Sequence, residues 1–362
     1  MNRKVFITGH RGYVGAHLVE VLRDAGYLLG GCDIGLFEGC EWELTSTCTP
    51  RVEWSHSCDF AELSPGDLVG YDAIVHLAAI SNDPMGELDP SLTRRVNRDA
   101  AIALAQKAKA AGVARFLFAS SCSIYGRGEL IASLGESAEE LSATDASYSH
   151  GLTECDPVAP LTTYAASKIA AESEILALAD SAFTPVSLRF ATAYGYSPML
   201  RIDLVVNNLL ASGFTTGEVR VMSDGTPWRP LIHCRDMARA CLAFLEAPAE
   251  RISGEVYNVG GNGENYQVRQ IADYVAAVLP AARVCYTGEI GQDPRNYRVN
   301  FDKLADLLPH FSLSYTLESG IAELHQKFCE RGFSLDDFRG EQFVRLRTLM
   351  KGNSRLLELC AS

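Results

Sequence analysis

The chain has 362 residues, 47% hydrophobic and 21% charged, and its 32 Lys and Arg against 45 Asp and Glu give a formal net charge of −13. Such a chain can bury a core of its own, which excludes a disulfide-stapled miniprotein and a disordered polymer, and its acidity is wrong for nucleic acid or an anionic membrane. The 11 cysteines include no Cys-x-x-Cys pair, and Met1–His10 runs straight into a strand pattern, so free thiols, no metal site and a cytoplasmic, reduced setting are expected.

Lys4–Thr8 reads as a strand, and Tyr13–Ala25 as a helix with Val14, Leu18, Val21 and Leu22 on one face. Tyr27–Asp33 and Arg51–His56 read as further strands, and Ala73–His76 comes after the turn-like Gly70-Tyr71-Asp72. Then come a long Ala-rich helix at Pro90–Ala111, a strand at Arg115–Ser120, a helix at Thr162–Ala179 and a strand at Pro185–Arg189. Strands alternating with helices predict an α/β fold, a doubly wound parallel sheet of the Rossmann type. Beyond Arg189 the rhythm loosens, which predicts a smaller mixed α/β C-terminal substrate lobe. The expected division is 1–190 for the dinucleotide domain with a returning segment at about 229–258, 191–228 and 259–330 for the lobe, and 331–362 for a surface tail. Residues 127–150, rich in Ser, Ala, Glu and Thr, are expected to form a lid or specificity loop beside the ligand crevice, with a tolerated surface insertion as the alternative.

Four groups of residues carry chemistry. Gly9, Gly12 and Gly15 lie between the first strand and first helix, where glycines allow a tight turn and close approach to a pyrophosphate, and where the helix N-terminus offers unpaired N–H groups. Asp33 ends the second strand, where a carboxylate accepts from an adenosine ribose and repels a 2′-phosphate, favouring NAD over NADP. Tyr164 and Lys168 share a helix face, so an ammonium can steer the phenol toward phenolate and let it exchange a proton with a sugar hydroxyl. Ser120, Ser121 and Ser123 lie at the carboxyl end of the fifth strand, where open parallel sheets bind ligands.

Taken together, these residues resemble the extended short-chain dehydrogenase/reductase family, in its nucleotide-sugar epimerase/dehydratase branch. The likeness runs from Val5 to about Leu308. It includes the glycine loop with Arg11, Tyr13 and Val14, the acidic Asp33, Asp59-Phe60, His76-Leu77-Ala78-Ala79 and Asn97. It continues through Ser120–Gly126, Tyr164 with Lys168, Leu188-Arg189, and Arg229 to His233. The resemblance implies NAD as cofactor and a nucleotide-diphosphate sugar as partner. It implies Tyr164, Lys168 and Ser121 as the catalytic group, and Ser121, Ser123, Thr192, Asn207, Arg229 and Arg295 as substrate contacts. It also implies a homodimer formed through the helices at about Pro90–Ala111 and Thr162–Ala179.

Two departures bear on the reaction. The family's 4,6-dehydratases carry an Asp-Glu pair where this chain has Cys122 and Ser123, and many of its 4-epimerases carry an Asn where this chain has Thr192. The expectation is therefore epimerisation at C4 through a transient 4-keto sugar. A net 4-dehydrogenase or 4-ketoreductase is the alternative. A non-catalytic NAD-binding sensor is a more distant one, disfavoured by the intact Tyr164/Lys168 pair.

Overall fold

The computed structural model describes residues 3–43, 52–81, 83–127, 151–288 and 295–351. Strands β1 (Lys4–Thr8), β2 (Leu28–Cys32), β3 (Trp54–His56), β4 (Ala73–His76), β5 (Arg115–Ser121), β6 (Thr184–Phe190) and β10 (Glu255–Val259) form one sheet in the order β10-β6-β5-β4-β1-β2-β3. All six pairings are parallel. The chain order reverses direction between β1 and β4, the switch point beyond which such sheets take their ligands.

The alternation of side chains along β1 explains both covered faces. Val5 and Ile7 point into a cluster with Leu18, Val19 and Leu22 of helix α1 (Tyr13–Asp24) and with Ala238, Cys241 and Phe244 of a later helix, Cys234–Glu246. Phe6 points the other way, into a cluster with Leu104, Ala105 and Ala108 and with Ala171 and Ile175. The Ala-rich helix expected over 90–111 is broken into Pro90–Arg94, a π-helical stretch Arg95–Ala100, and Ala101–Ala110. The π-turn carries Asn97 into the interior.

The lobe is built on two small sheets. One has the order β11 (Asn265–Gln267), β9 (Trp228–His233), β7 (Thr192–Tyr194), and the other pairs β12 (Arg283–Tyr286) with β8 (Glu218–Val221). Only part of the expected returning segment thus rejoins the large sheet. β9 pairs with β7 and β11 instead, because it feeds directly into Cys234–Glu246, which lies over the large sheet beside α1; the chain regains the sheet edge only at β10.

The expected surface tail is a correction. Phe343 is fully buried and Arg345 is 2% exposed. Phe343 sits with Trp42, Phe328 and Phe333 in the lobe core, where Phe328 and Phe333 stack at 4.3 Å. The aromatic residues at 333 and 343 complete that core, so the chain here is part of the lobe interior and not a tail packed on its surface. Residues 128–150, most of the expected specificity loop, fall outside the described residues. The loop's flanks are pinned to one stretch beside the cavity, Arg127 bridging Asn296 and Leu152 bridging Val299. No helix among the described residues is long and apolar enough to cross a membrane.

Candidate active site

A cavity of about 1020 Å³ opens at the carboxyl ends of β1, β2, β4 and β5 and runs under the lobe. Its floor on one side is the glycine loop. Gly9 has φ +75°, and a Cβ there would lie 2.9 Å from the Ala78 nitrogen, while one on Gly15 would lie 2.1 Å from the Gly9 oxygen. Only hydrogen at both positions lets the loop press against β4 and α1. Gly12 is the N-cap of α1 and provides no side-chain cap, so the helix turns bare N–H groups and its positive end toward the cavity. This is the cradle a pyrophosphate requires, and a dinucleotide fits it.

Asp33 lines the same cavity, accepting from the Gly35 N–H at 2.8 Å and from the Arg11 N–H at 3.2 Å. Tyr13, Val14, Asp59, Phe60, Leu77, Ala78 and Ala79 line it too. Two expected cofactor contacts do not reach it. Arg11 contributes its backbone N–H to Asp33, and the Asn97 amide is spent on both polar groups of Ile80, at 2.8 and 3.0 Å. Asn97 therefore braces the loop after β4, and it is its neighbour Val96 that lines the cavity.

The catalytic candidates meet at the centre. Ser121 ends β5, and its hydroxyl accepts from the Ser123 N–H at 3.1 Å. Thr162 caps the helix Thr163–Leu176 by accepting from the Ala165 N–H at 3.2 Å. That helix carries Tyr164 and Lys168 and is bolted to β6 by a buried pair, Arg189 to Glu172 at 2.6 Å, joined by Ser187 and Tyr125. Lys168 donates to the Ala119 carbonyl at 2.8 Å and lies 6.0 Å from the Tyr164 ring centroid.

Burial pushes Lys168 down to about 7. Burial, and then the Asp83 carboxylate, push Tyr164 up to about 12, against a hydrogen bond from Ser121 and the charges of Arg201 and Arg295. Lys168 hydrogen-bonds the Ala119 carbonyl, and without a ligand burial holds the phenol above its ordinary value against the charges of Arg201 and Arg295. Burial outweighs a partly charged ammonium whose hydrogen bond points elsewhere.

The lobe supplies the opposite wall with Thr192, Arg229, Arg295 and Arg201, all lining the cavity with Ser123. Arg229 donates to the Trp228 and Arg295 carbonyls at 2.8 and 2.6 Å. Arg295 pairs with Asp83 at 2.7 Å. Arg201 grips Asp203 through two nitrogens and donates to the Ser81 hydroxyl at 3.1 Å. Arg298 lies over Trp228 at 4.7 Å. Asn207 does not reach the cavity: its buried amide holds the Gly195 N–H, the Arg201 carbonyl and the Tyr13 hydroxyl, and the lining residue is its neighbour Asn208.

Asp83 and Arg345 also line the cavity, and the residue pattern alone did not single them out. Asp83 carried a signal, a carboxylate just beyond the end of β4 at the switch point. Arg345 carried none, since nothing in its local pattern ties residue 345 to the cavity.

The sequence profile of the NAD dependent epimerase/dehydratase family matches residues 5–260. The uncharacterized UDP-glucose epimerase YtcB of Bacillus subtilis (strain 168) is 25% identical over 333 residues, covering 88% of this chain and 95% of that one. A dTDP-glucose 4,6-dehydratase of Streptomyces griseus is 28% identical over 273 residues, covering 72% and 74%. Among solved structures, the NAD dependent NDP-hexosamine 5,6-dehydratase TunA superposes with a TM-score of 0.74 at 22% identity, covering 91% of this chain and 98% of its own; this likeness carries the fold alone.

Proposed function

Since the chain belongs to the NAD-dependent epimerase/dehydratase family and takes NAD as its cofactor, we propose that it epimerises a nucleotide-activated sugar at C4 through a transient 4-keto intermediate. The pair of residues after Ser121 carries this choice. Cys122 is buried with its thiol donating to the Arg189 carbonyl at 3.1 Å, and Ser123 is a hydroxyl. Neither offers a carboxyl group to protonate a leaving C6 hydroxyl, as the elimination of a 4,6-dehydratase requires. The carboxylate nearby, Asp83, uses both oxygens as acceptors, toward Thr162 and Arg295.

Bound NAD supplies a reversible hydride acceptor. Tyr164, as the phenolate that the positive nicotinamide ring would favour, takes the proton of the C4 hydroxyl, and the neutral phenol so formed later returns it. Ser121 donates to the C4 oxygen as charge builds there. Lys168 binds the cofactor ribose. Arg229 and Arg295 hold the diphosphate, while Thr192 and Ser123 face the sugar. Asp33 favours NAD over NADP, which suits an enzyme that ends each cycle with its cofactor unchanged. Rotation of the keto sugar within the cavity presents its other face and yields the C4 epimer. The working form is a homodimer joined through the helices at about 90–111 and 162–179, which sedimentation equilibrium tests.

The deciding experiment mixes pure protein with candidate nucleotide sugars and no added cofactor. Epimer formation without net NADH absorbance supports the reading. Stoichiometric NADH points to a net 4-dehydrogenase, and loss of one water from the sugar, seen by mass spectrometry, points to a dehydratase.

A further inference from the structure

Beside the phenol stands a carboxylate for which the proposed reaction has no role. Asp83 opens a short helix, Asp83–Leu88, that is seated tightly on Tyr164: a Cβ added to Gly86 would lie 3.3 Å from the Tyr164 Cβ. One Asp83 oxygen accepts from the Thr162 hydroxyl at 2.5 Å, and Thr162 caps the helix that carries Tyr164. The other pairs with Arg295 of the lobe at 2.7 Å, with side chains 17% and 24% exposed. One turn along, Glu87 accepts from the Thr163 N–H at 2.7 Å. Two acidic side chains thus sit at the positive end of the Tyr164 helix, where its dipole favours them.

We propose that Asp83 is a positioning residue of the reaction: it ties the Tyr164 helix to the Arg295 guanidinium across the cavity and supplies the counter-charge to the cations that face the phenol. The proposal rests on the roles given above to Tyr164 and Arg295. The charges around the phenol support it. Arg201 is matched by Asp203 and Arg295 by Asp83, while Lys168 lies 6.0 Å from the ring and is bonded to a carbonyl. Without the Asp83 charge, the Arg295 guanidinium loses that carboxylate. A nearby charge moves a titrating group by about 1–3 pH units, and burial and the Asp83 carboxylate both raise Tyr164. Asp83 thereby offsets the arginine charges that bear on the phenol and holds Arg295 against the Tyr164 helix.

The test places a ring-fluorinated tyrosine at position 164 of the full chain, loaded with NAD, and follows its ionisation by fluorine NMR without any sugar. Asp83→Asn should lower the midpoint by about one pH unit, and Arg295→Met should raise it. Glu87→Gln, at a side chain that caps the same helix without pairing to Arg295, should move it far less. An unchanged midpoint in Asp83→Asn, or an equal shift in Glu87→Gln, overturns the proposal. Asp83→Ser gives the same reading if the Asn variant misfolds. Because no turnover is measured, the result stands even if the wild-type protein epimerises no sugar. Where a sugar does turn over, Asp83→Asn should lower kcat more than it raises KM.

Discussion

The Tyr164 phenol and the Lys168 ammonium are one helical turn apart, yet burial moves them oppositely, because losing a proton charges the one and neutralises the other. Removing only the phenol hydroxyl isolates its chemistry. Tyr164→Phe keeps the ring, so turnover should fall about 10²–10⁴-fold while NAD affinity is unchanged. Near-normal turnover, with NAD binding followed by fluorescence titration, would remove Tyr164 from the mechanism. Lys168 makes a different prediction, on stability. Its folded value, about 7, lies below its ordinary 10.5. Between those values the unfolded chain holds a proton that the folded chain has released, so the contribution of Lys168 to stability rises as pH climbs from 7 toward 10.5. Below pH 7 the buried ammonium is a constant penalty. Lys168→Met should therefore melt above the wild type at pH 6, with the gap narrowing by pH 9. Calorimetry of the cofactor-free proteins checks this, and parallel melting curves at all pH values would contradict it.

At the scale of elements, the glycine loop shows how a turn fixes a ligand site. A methyl group on residue 15 would lie 2.1 Å from the Gly9 oxygen and 2.8 Å from the His10 Cα. Neither neighbour is a flexible side chain, so Gly15→Ala must push α1 away from β1. Overpacking of this kind costs about 1–3 kcal/mol, and it moves the N–H groups that would face the pyrophosphate. Urea unfolding should show the loss, and retained NAD should fall with it. This loop was readable from residue order because glycines between a strand and a helix have few other uses. The strands of the large sheet were readable for a similar reason: β1 is buried from Val5 to Thr8, so Val5, Phe6 and Ile7 follow one another as an unbroken apolar run. The small sheets were not readable. β7 and β11 have three residues each, too short to display a period, and their pairing is set by where Cys234–Glu246 packs. Asn97 and Asn207 show the limit at single positions. Their amide chemistry was visible, but the π-turn and the Gly195 loop decide which way each amide points.

Among the described residues, the core of the large sheet, with one cluster on each face, and a second core in the lobe flank the cavity. The C-terminal residues matter at this scale because they close the second core and touch the cavity at once. Phe343 is fully buried beside Trp42 and Phe333, and its carbonyl accepts from the Ile202 N–H at 2.9 Å. Ile202 lies between Arg201 and Asp203, which line the cavity, and Arg345 sits two residues on with its guanidinium 4.2 Å from the Phe37 ring centroid, beyond Asp33 on the cofactor side. A void at position 343 should therefore be felt in both places. Phe343→Ala is expected to cost about 3–5 kcal/mol, whereas Val69→Ala, at a side chain 65% exposed, should stay within about 0.5 kcal/mol. Because the lost ring also loosens the backbone that carries Arg201, ligand binding should weaken in Phe343→Ala at temperatures where the protein is still folded. Denaturant midpoints give the first quantity and calorimetric titration the second. A Phe343→Ala protein as stable as the wild type would mean that the terminal segment lies outside the lobe core after all.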